Sequence, residues 1–168
     1  MKTMVARSVI REGLIAGAIG AIAVAGWFLL VDLIAGRPMA TPAVLGTALL
    51  DVFGPRGSEG SFAHIVTYTI FHFAVFAVVG ILISLVVHRA EEQPAILALG
   101  LVLFIIIEMG FYGLTAIVSN SGLLGTLAWY QVGAANLLAA VLMGFYMYKK
   151  HPLLRQEFQQ ALGGGDDD

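Results

Sequence analysis

Apolar residues run through this chain in four long stretches, at roughly 12–36, 62–88, 95–118 and 123–148, separated by polar turns. Each stretch reaches the 20 or so residues with which an α-helix crosses about 30 Å of hydrocarbon. Inside a bilayer a segment must satisfy its own backbone groups, so the pattern predicts helices rather than open strands. The connections at Glu91-Glu92-Gln93-Pro94 and Ser119-Asn120-Ser121-Gly122 are tight, which makes sequential helices antiparallel neighbours. The predicted fold is an all-α membrane protein, a four-transmembrane-helix antiparallel bundle over residues 1–151.

The longest connection, 37–60, carries its own short element. Thr41-Pro42 reads as an N-cap with proline at the first helical position. Ala43 to Phe53 is then mostly apolar until Gly54-Pro55 stops it. A short interfacial helix is expected in this first outer loop. Beyond the last span, 152–168 reads as a cytoplasmic amphipathic tail: Leu153, Leu154, Phe158, Ala161 and Leu162 fall towards one side, before a flexible acidic end.

Charge sets the orientation. Lys2, Arg7, Arg11, Arg89, Lys149, Lys150 and Arg155 fall on one side of the predicted membrane, and only Arg37 and Arg56 on the other. Positive residues gather on the cytoplasmic side. Both termini and the 89–94 turn are therefore expected there, in a bacterial inner membrane or its equivalent. A signal peptide is the rival reading of the first stretch, but its apolar run continues to Arg37, too long for a signal core.

Composition narrows the chemistry. Of 168 residues, 59% are hydrophobic and 12% charged, with a net charge of −2, and the mean hydropathy is +0.89. A soluble domain carries about a quarter charged residues, so lipid must solvate much of this surface. No basic block points to nucleic acid. Without cysteine there are no disulfides, iron–sulfur clusters, thiolate metal sites or cysteine nucleophiles. No serine-hydrolase, metallopeptidase, nucleotide or phosphate motif is present, so catalysis is not the leading expectation.

Small residues mark contact faces. Gly13, Gly17, Gly20, Ala21 and Val24 share a stripe on the first helix, a packing face inside the bundle or between copies in a homo-oligomer. His72 and Asn136 each precede a glycine by eight positions, Gly80 and Gly144; two matches are too few to establish a duplicated hairpin. Gln131 points away from Asn136 and favours an oligomer or other membrane subunits as partners.

Ionisable groups near a span's centre cost roughly 2.5–3.5 kcal/mol on insertion scales and are functional candidates by default. His64, Tyr68 and His72 are spaced four apart on the second helix, and Glu108, Tyr112, Thr115 and Ser119 form a polar stripe on the third. Trp129, Gly133, Asn136 and Ala140 share a face of the fourth, while Asp32 sits near the outer end of the first. Counted from the outer boundary, His72 and Glu108 both lie about 15 Å deep, with Tyr68, Tyr112 and Trp129 at about 9 Å. The inner halves of helices two to four are almost wholly apolar, with Ser84 the one obvious exception. A through-pore needs polar lining on both sides, so this pattern describes an outward-facing blind pocket.

The expected ligand-binding residues are therefore His72, Glu108, Asn136, Tyr68, Tyr112, His64, Asp32 and Trp129, centred on a buried His72–Glu108 pair. Such a pocket suits a small transporter-like or accessory subunit handling a proton, cation or small ligand. A metal-, haem- or quinone-binding redox subunit is the alternative, with His72 and Glu108 as the metal ligands. His64 and His72 are about 12 Å apart along one helix and cannot share an ion. The pattern names no cofactor. A third reading makes these residues purely structural, fixing helix register within a larger membrane complex.

Overall fold

The structure, a computed structural model, describes residues 2–51, 60–91, 93, 96, 100, 102, 104–106, 108–110 and 129–152, with side chains from Arg7 onward except those of Ser61 and Trp129. Four helices are described: α1 (Lys2–Ile34), α2 (Ala40–Asp51), α3 (Ser61–Ala90) and α4 (Trp129–Lys150). Residues 96, 100, 102, 104–106 and 108–110 are also helical, and no strand occurs among the described residues. Three helical segments are long and apolar enough to cross a membrane: Arg7–Ile34, Phe62–Ala90 and Tyr130–Lys150. Most of the expected third span, its outer turn at 119–122 and the tail from 153 lie outside the described residues.

The outward faces of these helices are apolar. Ile22, Ile70, Val78, Leu137 and Val141 are each about 60% exposed or more, as a surface solvated by lipid allows.

α1 is the hub. Against α3 it pairs Gly13 with Gly80 and Ile81, Gly17 with Phe76 and Ala77, and Ala21 with His72, so the two helices run antiparallel. A Cβ added at Gly13 would lie 2.5 Å from the Ile81 Cα, and one at Gly80 would lie 2.5 Å from the Gly17 nitrogen. Only glycine lets these backbones approach so closely, which is the small-residue packing expected of the first helix. A Cβ on Gly144 meets nothing within 4 Å among the described residues.

Against α4, α1 contributes Val24 and Phe28 to a core with Val132, Ala135 and Ala139. Towards the other end, Ala16 packs with Met143 and Met147. Phe76 of α3 touches both clusters. The small-residue stripe thus serves contacts within the chain.

The turn after α1 is built by a helix-stop motif. Gly36 adopts φ +67°, the Gly36 N–H donates to the Leu33 carbonyl at 3.0 Å and the Arg37 N–H to the Asp32 carbonyl at 2.9 Å. These are the two closing bonds of a Schellman motif, with glycine where the left-handed conformation is required. Met39 is also left-handed, at φ 66°, and launches α2 directly.

That launch corrects the expected cap. Thr41 lies inside α2, and the cap comes from Asp32 at the end of α1. The Asp32 carboxylate accepts from the Thr41 N–H and the Thr41 hydroxyl, both at 2.8 Å. It is buried, at 5% exposure, where the helix N-terminus favours negative charge.

Candidate functional site

The outer polar residues are brought together less than their pattern suggested. Asp32 is engaged in capping α2. His64 faces the same helix: the Thr47 hydroxyl donates to the Ala43 carbonyl at 3.0 Å, leaving its oxygen to accept from His64 Nδ1 at 3.1 Å. A Cβ on Gly46 would collide with the His64 backbone. Both residues therefore dock α2 onto the spans.

His72 is buried, at 8% exposure. Its Nε2–H donates to the Ala21 carbonyl of α1 at 3.1 Å, and its Nδ1 faces the Tyr68 hydroxyl at 3.5 Å. Glu108 accepts from Asn136 Nδ2 at 2.8 Å. No hydrogen bond or ion pair joins His72 to Glu108 among the described residues. The expected buried pair is replaced by two separate ties, one between α1 and α3 and one between the 108–110 segment and α4. Both ring nitrogens of His72 already have partners. Tyr112 lies outside the described residues, and of Trp129 only the backbone is described.

A different group of ionisable residues does converge, at the opposite end of the helices. Glu12 lies in the early turns of α1, His88 in the last turn of α3, and His151 just beyond α4. The sequence fixes these positions through its helix ends. Pro94 follows α3 closely, and Pro152 disfavours helical backbone at the residue before it. His151 is held as the final link of α4 by its N–H, which donates to the Met147 carbonyl at 3.0 Å. Cationic Arg89, Lys149 and Lys150 share these last turns, as the helix dipole favours.

The geometry is close. His151 Nε2 lies 3.1 Å from Glu12 Oε2, and His88 Nε2 lies 3.7 Å from the same oxygen. The two imidazole rings meet edge to face, 4.6 Å between centroids. One candidate ligand atom from each of the three residues falls within 4.8 Å of the others. Ligand atoms about 2.0–2.2 Å from one tetrahedral ion sit roughly 3.3 Å apart, so the three heads match a shared ion. Their side chains are 20%, 15% and 6% exposed for Glu12, His88 and His151.

Each head is also oriented from behind. His88 Nδ1–H donates to the Ser84 carbonyl at 2.9 Å. His151 Nδ1 faces Glu91 Oε1 at 2.8 Å. The Ser8 hydroxyl donates to Glu12 Oε1 at 2.8 Å. Metal-bound histidines characteristically give their other N–H to a carbonyl or a carboxylate, which fixes ring and tautomer; both arrangements occur here. Residues 12, 88 and 151 were missed in the sequence because each stands alone on its own helix. The available signal was depth: all three fall at the inner ends of predicted spans. Comparison of the chain with known proteins found no matching family, no matching curated protein and no matching solved structure.

Proposed function

We propose that this chain is a membrane-embedded metal-binding protein that holds a divalent transition-metal ion through Glu12, His88 and His151. The observation that carries the reading is the convergence of His151 Nε2 and His88 Nε2 on one oxygen of Glu12, at 3.1 and 3.7 Å. With Nδ1–H committed to the Ser84 carbonyl, His88 turns its Nε2 towards the Ser8 hydroxyl at 3.5 Å and Glu12 Oε2 at 3.7 Å. Ser8 gives its proton to Glu12 Oε1, so a shared cation is what would satisfy His88 Nε2 and Glu12 Oε2 together. His151 is poised in the same way, with Glu91 behind it and Glu12 in front.

Two imidazoles and a carboxylate suit Zn²⁺ or Fe²⁺, and three protein ligands leave coordination positions open for water or substrate. Glu12 and Glu91 together supply two negative charges, matching a divalent ion. In this reading the chain has four spans, the third at 95–118, with both termini and the metal centre on the cytoplasmic side. His72, Asp32 and His64 then serve as fasteners between helices. A proton is the rival cation, because His151 between two carboxylates is also an arrangement for imidazolium.

The test is a zinc titration of the full chain in mild detergent against a chromophoric chelator. The expected result is one site per chain, at least about a hundredfold weaker in His88→Ala and in His151→Ala and unchanged in His72→Ala. Absence of a chelator-competing site in the wild type would refute the metal reading and leave the proton in its place.

A further inference from the structure

Beside the metal centre lies a cleft of about 460 Å³ lined by Arg7, Arg11 and Lys150, with Ser8, Glu12 and Tyr146. Arg7 and Arg11 are four residues apart, stacked on one face of α1, and Lys150 closes α4. None of the three cations is ion-paired to a carboxylate among the described residues. Among the described residues, Glu12 is the one acidic residue on the cleft wall, and it is occupied by Ser8, His88 and His151.

Two further details separate this cleft from an ordinary basic helix end. The neighbouring Lys149 ammonium lies over the Phe145 ring, 4.5 Å from its centroid, and does not line the cleft. The Tyr146 hydroxyl is buried and has no hydrogen-bond partner among the described residues. A buried hydroxyl is rarely left unmatched, and this one belongs to the cleft wall.

The geometry points to a phosphate-recognition site whose occupant reaches the metal's open position. Paired guanidinium groups match the oxygens of a phosphate in both charge and shape. Arg7 begins the first segment long and apolar enough to cross a membrane, which would set the cleft at headgroup depth, where basic pockets between helices bind anionic lipid heads. Glu12 is common to the cleft and the metal centre, which brings a bound phosphate next to the ion. This inference rests on the metal reading. A lipid headgroup and free phosphate share the recognising chemistry, and the experiment separates them.

The full chain in mild detergent is loaded with zinc or treated with chelator. Binding of short-chain phosphatidic acid, inorganic phosphate and short-chain phosphatidylcholine is then measured by thermal shift and by native mass spectrometry. The expected result is zinc-enhanced binding of phosphatidic acid, roughly tenfold weaker or more in Arg7→Gln and in Arg11→Gln and unchanged in Lys149→Gln. Equal binding of inorganic phosphate would support the site and make free phosphate its occupant. Normal zinc binding without any phosphate response, or equal losses in Lys149→Gln and Arg11→Gln, would overturn the cleft and leave the metal centre standing. Phosphate binding that ignores zinc would overturn the link between the two. Failure to bind zinc at all would overturn the reading beneath it.

Discussion

Replacing Gly80 with valine tests the packing that brings the metal ligands together. A Cβ at this position would sit 2.5 Å from the Gly17 nitrogen and 2.8 Å from the Gly17 Cα, and would collide with the Gly13 carbonyl. All three are backbone atoms, so no side chain can rotate away. Restoring ordinary contact at about 3.5 Å requires α1 and α3 to part by roughly 1 Å. Overpacking of this kind costs about 1–3 kcal/mol. The matched control is Gly144→Val, which makes the same chemical change where a Cβ meets nothing within 4 Å among the described residues. Thermal unfolding in detergent should show Gly80→Val destabilised relative to Gly144→Val by that amount. Glu12 adjoins Gly13, and His88 lies about two turns beyond Gly80, so zinc affinity should fall as well. Equal unfolding temperatures for the two variants would refute the close approach of α1 and α3.

Asp32→Ala leaves the Thr41 N–H and hydroxyl without their acceptor and should cost about 1–2 kcal/mol; hydrogen exchange should rise across 40–51 while zinc affinity holds. Glu91→Gln weakens the acceptor behind His151 and should reduce zinc affinity about 10–100-fold, read by the same chelator competition. Acidification should release the metal, because imidazole and carboxylate must be deprotonated to ligate; affinity that stays level on acidification would count against these ligands. For topology, Thr3→Cys should be shielded from a membrane-impermeant thiol reagent in intact cells and Gly57→Cys labelled, since the chain has no native cysteine; the reverse pattern would invert the proposed orientation.

Three spans and the contact face of α1 were legible in the sequence because each rests on a local regularity. A run of apolar residues sets a span whatever its neighbours do, and glycines at helical spacing mark a close approach wherever the partner lies. The short helix α2 was legible for the same reason, although its cap was not. Thr41-Pro42 looked sufficient, while the acceptor came from Asp32, nine residues back across a glycine turn. Polar stripes show which residues share a helix face but not which face meets which helix. His72 shared a predicted depth with Glu108, yet the rotation of α3 against α1 gives its Nε2–H to the Ala21 carbonyl. The inner cluster has no stripe at all. Glu12, His88 and His151 come one from each helix end, and polar residues at such ends pass for ordinary interfacial flanks. Counting depth from the inner boundary as well as the outer would have placed all three together.

X-ray absorption at the metal edge of the zinc-loaded chain reads the proposed ligands themselves. The expected first shell lies at about 2.0–2.2 Å with scattering from two imidazoles, falling to one in His88→Ala and unaltered in His72→Ala. A spectrum of oxygen ligands alone, or a histidine count that His88→Ala leaves at two, would contradict it.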